Sequence, residues 1–320
     1  MHRLAQSSRP VISIPLGRSI AVALVAGLSL LALGGGASAA SGVINAVGVE
    51  NEYADVIAQI GGQYVHVSAI ESDPNTDPHS FEASPRIAGQ LAAAELVVEN
   101  GLGYDDWADR IISAAPNEGR KLINVQHLLG LPDSTPNPHL WYDPRTMPAV
   151  AKAIAAELGA LRPGQAAYFA ANEAKFEASL KPWLDAIATF RKDHPATPIA
   201  VTEPVADYLL QALGADIRTP ATLESAVMND NDPSPQDIST QTGLLTSGGV
   251  GIFVYNQQVT DDLTTSFLES AKQGKVPVVG VYETMPTPGF TYQSWMLAEV
   301  EALDRAVTQK VSTEKLAAGQ

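Results

Sequence analysis

The chain is 320 residues long, with 35 Asp and Glu against 20 Lys and Arg, a formal net charge of −15 and no cysteine. That charge makes nucleic acid and anionic lipid poor partners. The absence of thiols excludes disulfides, thiol catalysis, cysteine-ligated zinc and a cysteine-linked lipid anchor.

The first signals in chain order are those of export. Arg3, Arg9 and Arg18 precede an apolar run from Ile20 to Leu33, and small residues follow at Ala37–Ala39. Basic, apolar and small residues in that order predict a secretory signal peptide over 1–39. An apolar run of about 14 residues falls short of the roughly 20 needed to span a bilayer. The expected location is therefore periplasmic or otherwise extracytoplasmic, with the protein soluble. Removal of three arginines leaves the remainder still more acidic, which suits a solvated surface and is mildly favourable for cations. About 280 residues remain, enough for two lobes with separate cores. No repeat of 20 to 50 residues and no low-complexity tract is present.

Beyond the signal, strands and helices alternate. Val65–Ile70 (VHVSAI) is rich in β-formers. Ser84 and Pro85 then supply an N-cap and a first-turn residue for the helix through RIAGQLAAA, and ELVVEN reads as a buried strand closed by Gly101. The pattern returns in the second half. PIAVT leads into Glu203, PVADYLLQALG forms a helix stopped by Gly214, VGIFVYN is a strand, TTSFLESAKQG a helix, and VPVVGVY leads into Glu283. This is the grammar of an α/β fold with parallel sheets. The segment between, 162–194, is rich in helix formers. Thirty helical residues would extend about 45 Å, long enough to run along both lobes, although Pro182 is expected to kink or interrupt them. The predicted division is an N-terminal lobe over 40–161, a linking helix over 162–194 and a C-terminal lobe over 195–320.

Ligands of open α/β sheets bind beyond the carboxyl ends of the strands. Glu203 and Glu283 each follow an apolar strand directly. His79 lies in a loop framed by Pro78 and Pro85, and His139 occupies a second proline-bounded loop, NPHLWYDP, before the helix MPAVAKAIAAEL. Two imidazoles and two carboxylates make a candidate set of four ligands for a divalent transition metal. Each residue also has an ordinary reading: a histidine beside proline is a common turn residue, and Glu203 before Pro204 suits a helix start. Their joint placement at strand ends and loops favours the metal. His66, His127 and His194 read as structural or surface residues. Asp77 and Asp143 flank the two candidate histidines, either bonding an imidazole or stabilising a turn. Trp141 and Tyr142 are expected to pack around the site.

Taken in order, DPHSFEASP, VVENGLGYDDW, NPHLWYDP, VTEPVADYLLQALG and VPVVGVYETMPTPGFTYQSWM resemble the successive blocks of the metal-binding solute receptors of zinc and manganese ABC transporters, of the cluster A-I type. The resemblance runs from about Ile44 to Ala306. It implies two Rossmann-like lobes joined by a long rigid helix, with one metal ion held between them by His79 and His139 from the N-terminal lobe and Glu203 and Glu283 from the C-terminal lobe. Glu203 stands where zinc-selective members commonly carry His and manganese-type members Glu. Glu283 replaces the usual Asp with a side chain one methylene longer, a departure from the pattern. Many zinc-type relatives carry a His- and acid-rich loop between the first two ligand blocks; here GRKLINVQHLLGLPDSTPNP holds His127 alone. The donors suit manganese, and zinc accepts them as well, so the metal stays open between Mn and Zn.

The implied function is capture of the ion outside the cytoplasmic membrane by a monomeric, non-enzymatic solute-binding protein and delivery to an ABC permease, with modest rearrangement on release. A metallochaperone is an optional further partner. The alternatives are a secreted metallohydrolase, with His79, His139 and Glu203 as ligands and Glu283 as base, and a metal-binding adhesin. The sequence has no H-E-x-x-H, no G-x-S-x-G and no phosphate loop, and GLGYDD reads only as a turn.

Overall fold

The computed structural model describes residues 42–76, 78 and 81–317; the segment read as a signal peptide lies outside them, as do Asp77 and His79. In chain order the N-terminal lobe contains β1 (Ile44–Glu50), α1 (Asn51–Gly61), β2 (Val65–Glu71), α2 (Pro85–Ala93), β3 (Leu96–Glu99), α3 (Asp106–Ala114), β4 (Lys121–Asn124), α4 (Val125–Leu128) and α5 (Thr146–Leu161). Next come α6 (Ala166–Ser179) and α7 (Lys181–Asp193). The C-terminal lobe holds β5 (Pro198–Val201), α8 (Asp207–Ala212), β6 (Asp216–Ile217), α9 (Ala221–Met228), α10 (Pro235–Thr246), β7 (Ile252–Asn256), α11 (Asp262–Gly274), β8 (Val278–Val281) and α12 (Tyr292–Gln309).

Both sheets are parallel, and both have the same order. In the first, β2-β1-β3-β4, Ile44 pairs with Val65, Ala46 with Leu96 and Leu96 with Lys121. In the second, β6-β5-β7-β8, Ile199 pairs with Ile252 and Phe253 with Val278. The chain leaves β1 and β5 toward one side and then crosses to the other, so each sheet has a switch point beside its first strand. The crevice of such a sheet opens there, at the carboxyl ends. The expected strands, and the Ser84 cap with Pro85 in the first turn of α2, are present. β1, β4 and β6 add edges and a centre that the pattern of apolar runs did not isolate.

The helix expected over 162–194 is two helices. α6 ends at Ser179 and α7 begins at Lys181, with Pro182 in the first turn of α7. Proline has no N–H to donate and its ring crowds the preceding turn, so the helix restarts there. Leu180, between them, keeps right-handed helical dihedrals and is fully buried. α6 lies against α1 and α5, whereas α7 lies against α12, so the break lets one segment serve both lobes.

A single apolar cluster passes through both lobes, taking in Tyr53 and Trp141 from the first, Trp183 from α7 and Tyr292 and Trp295 from α12. Polar contacts reinforce the seam. The Asn51 amide both donates to the Met285 carbonyl and accepts from the Met285 N–H, each at 2.9 Å, and the Tyr292 hydroxyl donates to the Trp141 carbonyl at 2.7 Å.

Glu299 sits within this apolar cluster on α12, completely buried, accepting from the Trp295 indole N–H at 3.0 Å. Burial pushes its carboxyl up to about 8. The folded chain therefore binds a proton here that the unfolded chain releases; the resulting stability is complete below about 4.5 and is lost as pH rises through about 8. Glu299→Gln keeps an acceptor for Trp295 and is expected to flatten the decline in urea-measured stability across that window, by up to about 1.4 kcal/mol per pH unit. An unchanged slope would show that Glu299 does not bind that proton.

Candidate metal centre

His139 follows Pro138 in the loop between α4 and α5 and precedes a short 3-10 turn, Leu140–Tyr142. Its ring is fully buried, and so is the carboxyl of Glu283, two residues past β8. The two meet across the seam, with His139 Nε2 3.2 Å from Glu283 Oε2. Glu203, two residues past β5, is also buried, at 4% exposure. Among the described residues no group of three His, Asp or Glu side chains is arranged to hold a metal ion. The structure thus brings His139 and Glu283 into contact and sets Glu203 at a strand end of the same sheet as Glu283. The described part of the His79 loop borders them: Thr76 and Pro78 line a small cavity with Thr284, and Gln258 Nε2 donates to the Thr76 carbonyl at 2.8 Å.

Two asparagines fix these groups. Asn137 Nδ2 donates to the Pro204 carbonyl, beside Glu203, at 2.7 Å. That makes Asn137 Oδ1 the acceptor, and it receives both the backbone N–H of His139 at 2.9 Å and the imidazole Nδ1 at 2.8 Å. The proton of a neutral His139 therefore sits on Nδ1, and the Nε2 lone pair faces Glu283. Two lone pairs cannot approach to 3.2 Å in a buried site without a proton or a cation between them. On the other lobe, Asn256 at the end of β7 donates from Nδ2 to Glu283 Oε1 at 2.6 Å, while its backbone N–H donates to Thr202 Oγ1 at 3.1 Å. Gln258 Oε1 accepts the N–H groups of Glu283 and Thr284 at 2.7 and 2.8 Å.

Tyr104 completes the wall. The turn after β3 places Gly101, Leu102 and Gly103 at positive φ, and carries the Tyr104 hydroxyl to 3.0 Å from Glu283 Oε2. Burial, and then the charge of Glu283, push the phenol well above its usual range, so it stays a donor. Asn100 braces the neighbouring loop by donating from Nδ2 to the Pro138 carbonyl at 2.8 Å. Trp141 stands edge-on to both His139 and Tyr104, as the expected packing role requires.

Behind the pair lie two acids of a different kind. Glu50 and Glu52, at 1% and 0% exposure, are raised well above the carboxylate range by burial first and by neighbouring acids next. None of their carboxyl oxygens has a hydrogen-bond partner among the described residues.

Other sequence assignments divide. His66 and His127 are exposed, and His194 Nε2 lies 3.2 Å from Asp304 Oδ1, away from this centre. Of the two roles open to Asp143, turn stabilisation is what the structure has: its carboxylate accepts from the Arg145 backbone at 2.9 Å and from its guanidinium. Asn137 takes the imidazole instead. Sequence reasoning passed over Tyr104, Asn137, Asn256 and Gln258. Asn137 carried a signal, since an amide two residues before a candidate ligand can fold back onto it; Asn256 and Tyr104 reach the site only through the tertiary fold.

Residues 50–306 match the family of the periplasmic zinc-uptake complex component A, ZnuA, and the chain belongs to that family. Its fold is shared with TroA, a periplasmic zinc-binding protein from Treponema pallidum, at a TM-score of 0.70 and 17% identity over 84% of this chain and 100% of that one. A ZnuA structure gives 0.68 at 22% identity, over 83% of this chain and 100% of that one. FpvC from Pseudomonas aeruginosa, solved in complex with Mn2+, gives 0.67 at 18% identity, over 84% and 99%. Matches to curated sequences are shorter. The first, a Treponema pallidum protein, is 30% identical over 81 residues, so the chain spans only 25% of that relative's length. The zinc-binding protein TroA of Treponema pallidum is 28% identical over 123 residues, 36% of this chain and 39% of that one.

Asn137→Ala removes the acceptor that sets the His139 tautomer and also the Pro204 contact across the seam. It is expected to weaken metal binding about 10- to 100-fold in a competition titration. Binding within twofold of the parent protein would show that His139 is oriented without it.

Proposed function

We propose that this protein is an extracytoplasmic receptor that captures one divalent transition-metal ion, manganese or zinc, and hands it to an ABC permease for import. The observation that carries the reading is the buried apposition of His139 Nε2 and Glu283 Oε2 across the seam, a gap that a cation satisfies. His79 and Glu203 complete the proposed four-ligand set. The metal is cargo, and no covalent step is required. Glu283 already accepts from Asn256 and Tyr104, which suits a fixed ligand better than the mobile general base of a hydrolase. Capture as a monomer outside the membrane agrees with the export signal, and among the described residues no helix is long and apolar enough to cross a bilayer.

The donor set bears on the metal. Two carboxylates can chelate and raise the coordination number, which suits manganese, while zinc generally binds nitrogen and oxygen donors more tightly. The apolar cluster continuous through both lobes supports release by rearranged loops around the ligands in preference to a wide hinge motion.

Metal-stripped protein, titrated with manganese against zinc, is expected to show one tight site per chain, lost in Glu203→Ala and in Glu283→Ala. Affinity should fall in acid, because imidazole and carboxylate bind metal only when deprotonated. No tight binding of either ion would sink the transport reading and return the adhesin to the front.

A further inference from the structure

The end of β7 carries no candidate ligand, yet its side chains reach segments that do. Gln258 is buried, and every bonding position of its amide is used. Its Oε1 accepts the N–H groups of Glu283 and Thr284 at 2.7 and 2.8 Å, while Nε2 donates to the Thr76 carbonyl at 2.8 Å and to Thr284 Oγ1 at 3.2 Å. The two backbone donors fix which end of the amide is oxygen. The backbone N–H of Gln258 donates to Asn256 Oδ1 at 3.0 Å, which turns Asn256 Nδ2 onto Glu283 Oε1 at 2.6 Å. Asn256 in turn donates its own N–H to the hydroxyl of Thr202, the residue before Glu203, at 3.1 Å.

We propose that Gln258 is a positioning residue for the metal, a strut between the lobes whose loss shortens the time the ion stays bound. The proposal rests on the receptor reading above. Thr76 belongs to the N-terminal lobe and stands three positions before His79 in the chain. Among the described residues no other hydrogen bond ties 72–76 to the C-terminal lobe; Asp73 bonds Asn75 and Thr76 within the segment itself. One buried amide thus joins the backbone of that segment to the backbone of Glu283.

The strut differs in kind from the apolar seam. The core of both lobes buries aromatic area and outlasts the loss of one amide, whereas Gln258 joins only polar backbone beside the ligands. Without it the Glu283 and Thr284 N–H groups lose their acceptor in a dry site, and 72–76 loses its tether. Capture needs open ligands, while release needs the ligand-bearing segments to part, so a weakened strut acts on dissociation.

The test compares Gln258→Met, Gln258→Asn and Thr284→Val with the parent protein. Gln258→Met fills the space without hydrogen bonding. Gln258→Asn keeps the amide on a stem about 1.5 Å shorter, so it cannot hold both ends, and it serves if the methionine variant fails to fold. Thr284→Val removes only the side bond to the hydroxyl. Each protein, checked by circular dichroism, is loaded with whichever of Mn2+ and Zn2+ the parent binds more tightly, and release onto a chelating dye is followed by stopped flow. Dissociation is expected to be at least about tenfold faster in the Gln258 variants, with association within about threefold and Thr284→Val within about twofold of the parent. In the metal-free variants, hydrogen exchange should quicken together at Glu283, at Thr284 and at Thr76, whose N–H is bonded to the Asp73 carbonyl. An unchanged dissociation rate in a folded Gln258 variant, an equal effect of Thr284→Val, or faster exchange confined to Glu283 and Thr284 would overturn the proposal. A parent that binds neither ion would overturn it together with the receptor reading; a parent that binds and a variant that releases no faster overturns the strut alone.

Discussion

A histidine from one lobe and a carboxylate from the other, 144 positions apart in the chain, stand 3.2 Å from each other with no solvent around them. Neither group tolerates that alone: a dry carboxylate is expensive, and an imidazole lone pair aimed at it is repelled. The arrangement survives because every other bond to both groups is fixed. Asn137 takes the far nitrogen of the ring, Asn256 and Tyr104 hold the carboxylate, and Gln258 pins its backbone. What is left between them is a place for a single positive species.

Holding that place to a few tenths of an ångström requires that the lobes not slide. Two separately packed sheets would meet in a polar, mobile seam. Here the seam is part of the main core, with Tyr292 of α12 donating to the Trp141 carbonyl two residues from His139 and Tyr142 donating to the Tyr282 carbonyl next to Glu283. The aromatic side chains therefore do two jobs through the same atoms. They bury apolar area, and their hydroxyls fix the two backbone segments that carry the histidine and the acid. The broken connector contributes in the same way, since α6 packs on the N-terminal lobe and α7 on α12 of the other.

Much of this was legible in the sequence because parallel strands buried on both faces are apolar without interruption, so a polar residue marks where the strand stops. Glu203 and Glu283 could be picked out on that ground, and His139 by the prolines around it. The fold class followed from the alternation of those strands with capped helices. What could not be read were residues whose role exists only once the lobes meet. Asn256 ends a strand like many asparagines, and Tyr104 occupies a turn that looked merely like a turn. Asp143 is the instructive case. It is adjacent in sequence to the candidate ligand loop and has the right chemistry for an imidazole, yet Arg145 two residues on offers it a nearer donor set, and the local contact wins.

The same lobe shows why acidity alone does not make a metal ligand. The first three strands of the N-terminal sheet, β1, β2 and β3, each end in a glutamate, and Glu52 follows within a turn. Burial drives Glu50 and Glu52 toward their neutral forms, and Glu99 up to about 8 even though Asn124 donates to it. Asp105 receives two backbone N–H groups, at 2.6 and 2.8 Å, and rises only to about 6. Burial comes first in each rise, and at Glu99 and Asp105 hydrogen bonds oppose it, because in a dry interior they replace water as the support for charge. Glu283 has an amide donor on one oxygen and a phenol donor on the other. The protein thus places an acid at many strand ends and builds donors around few of them, and the proposed cation site lies where a carboxylate has a donor on each oxygen.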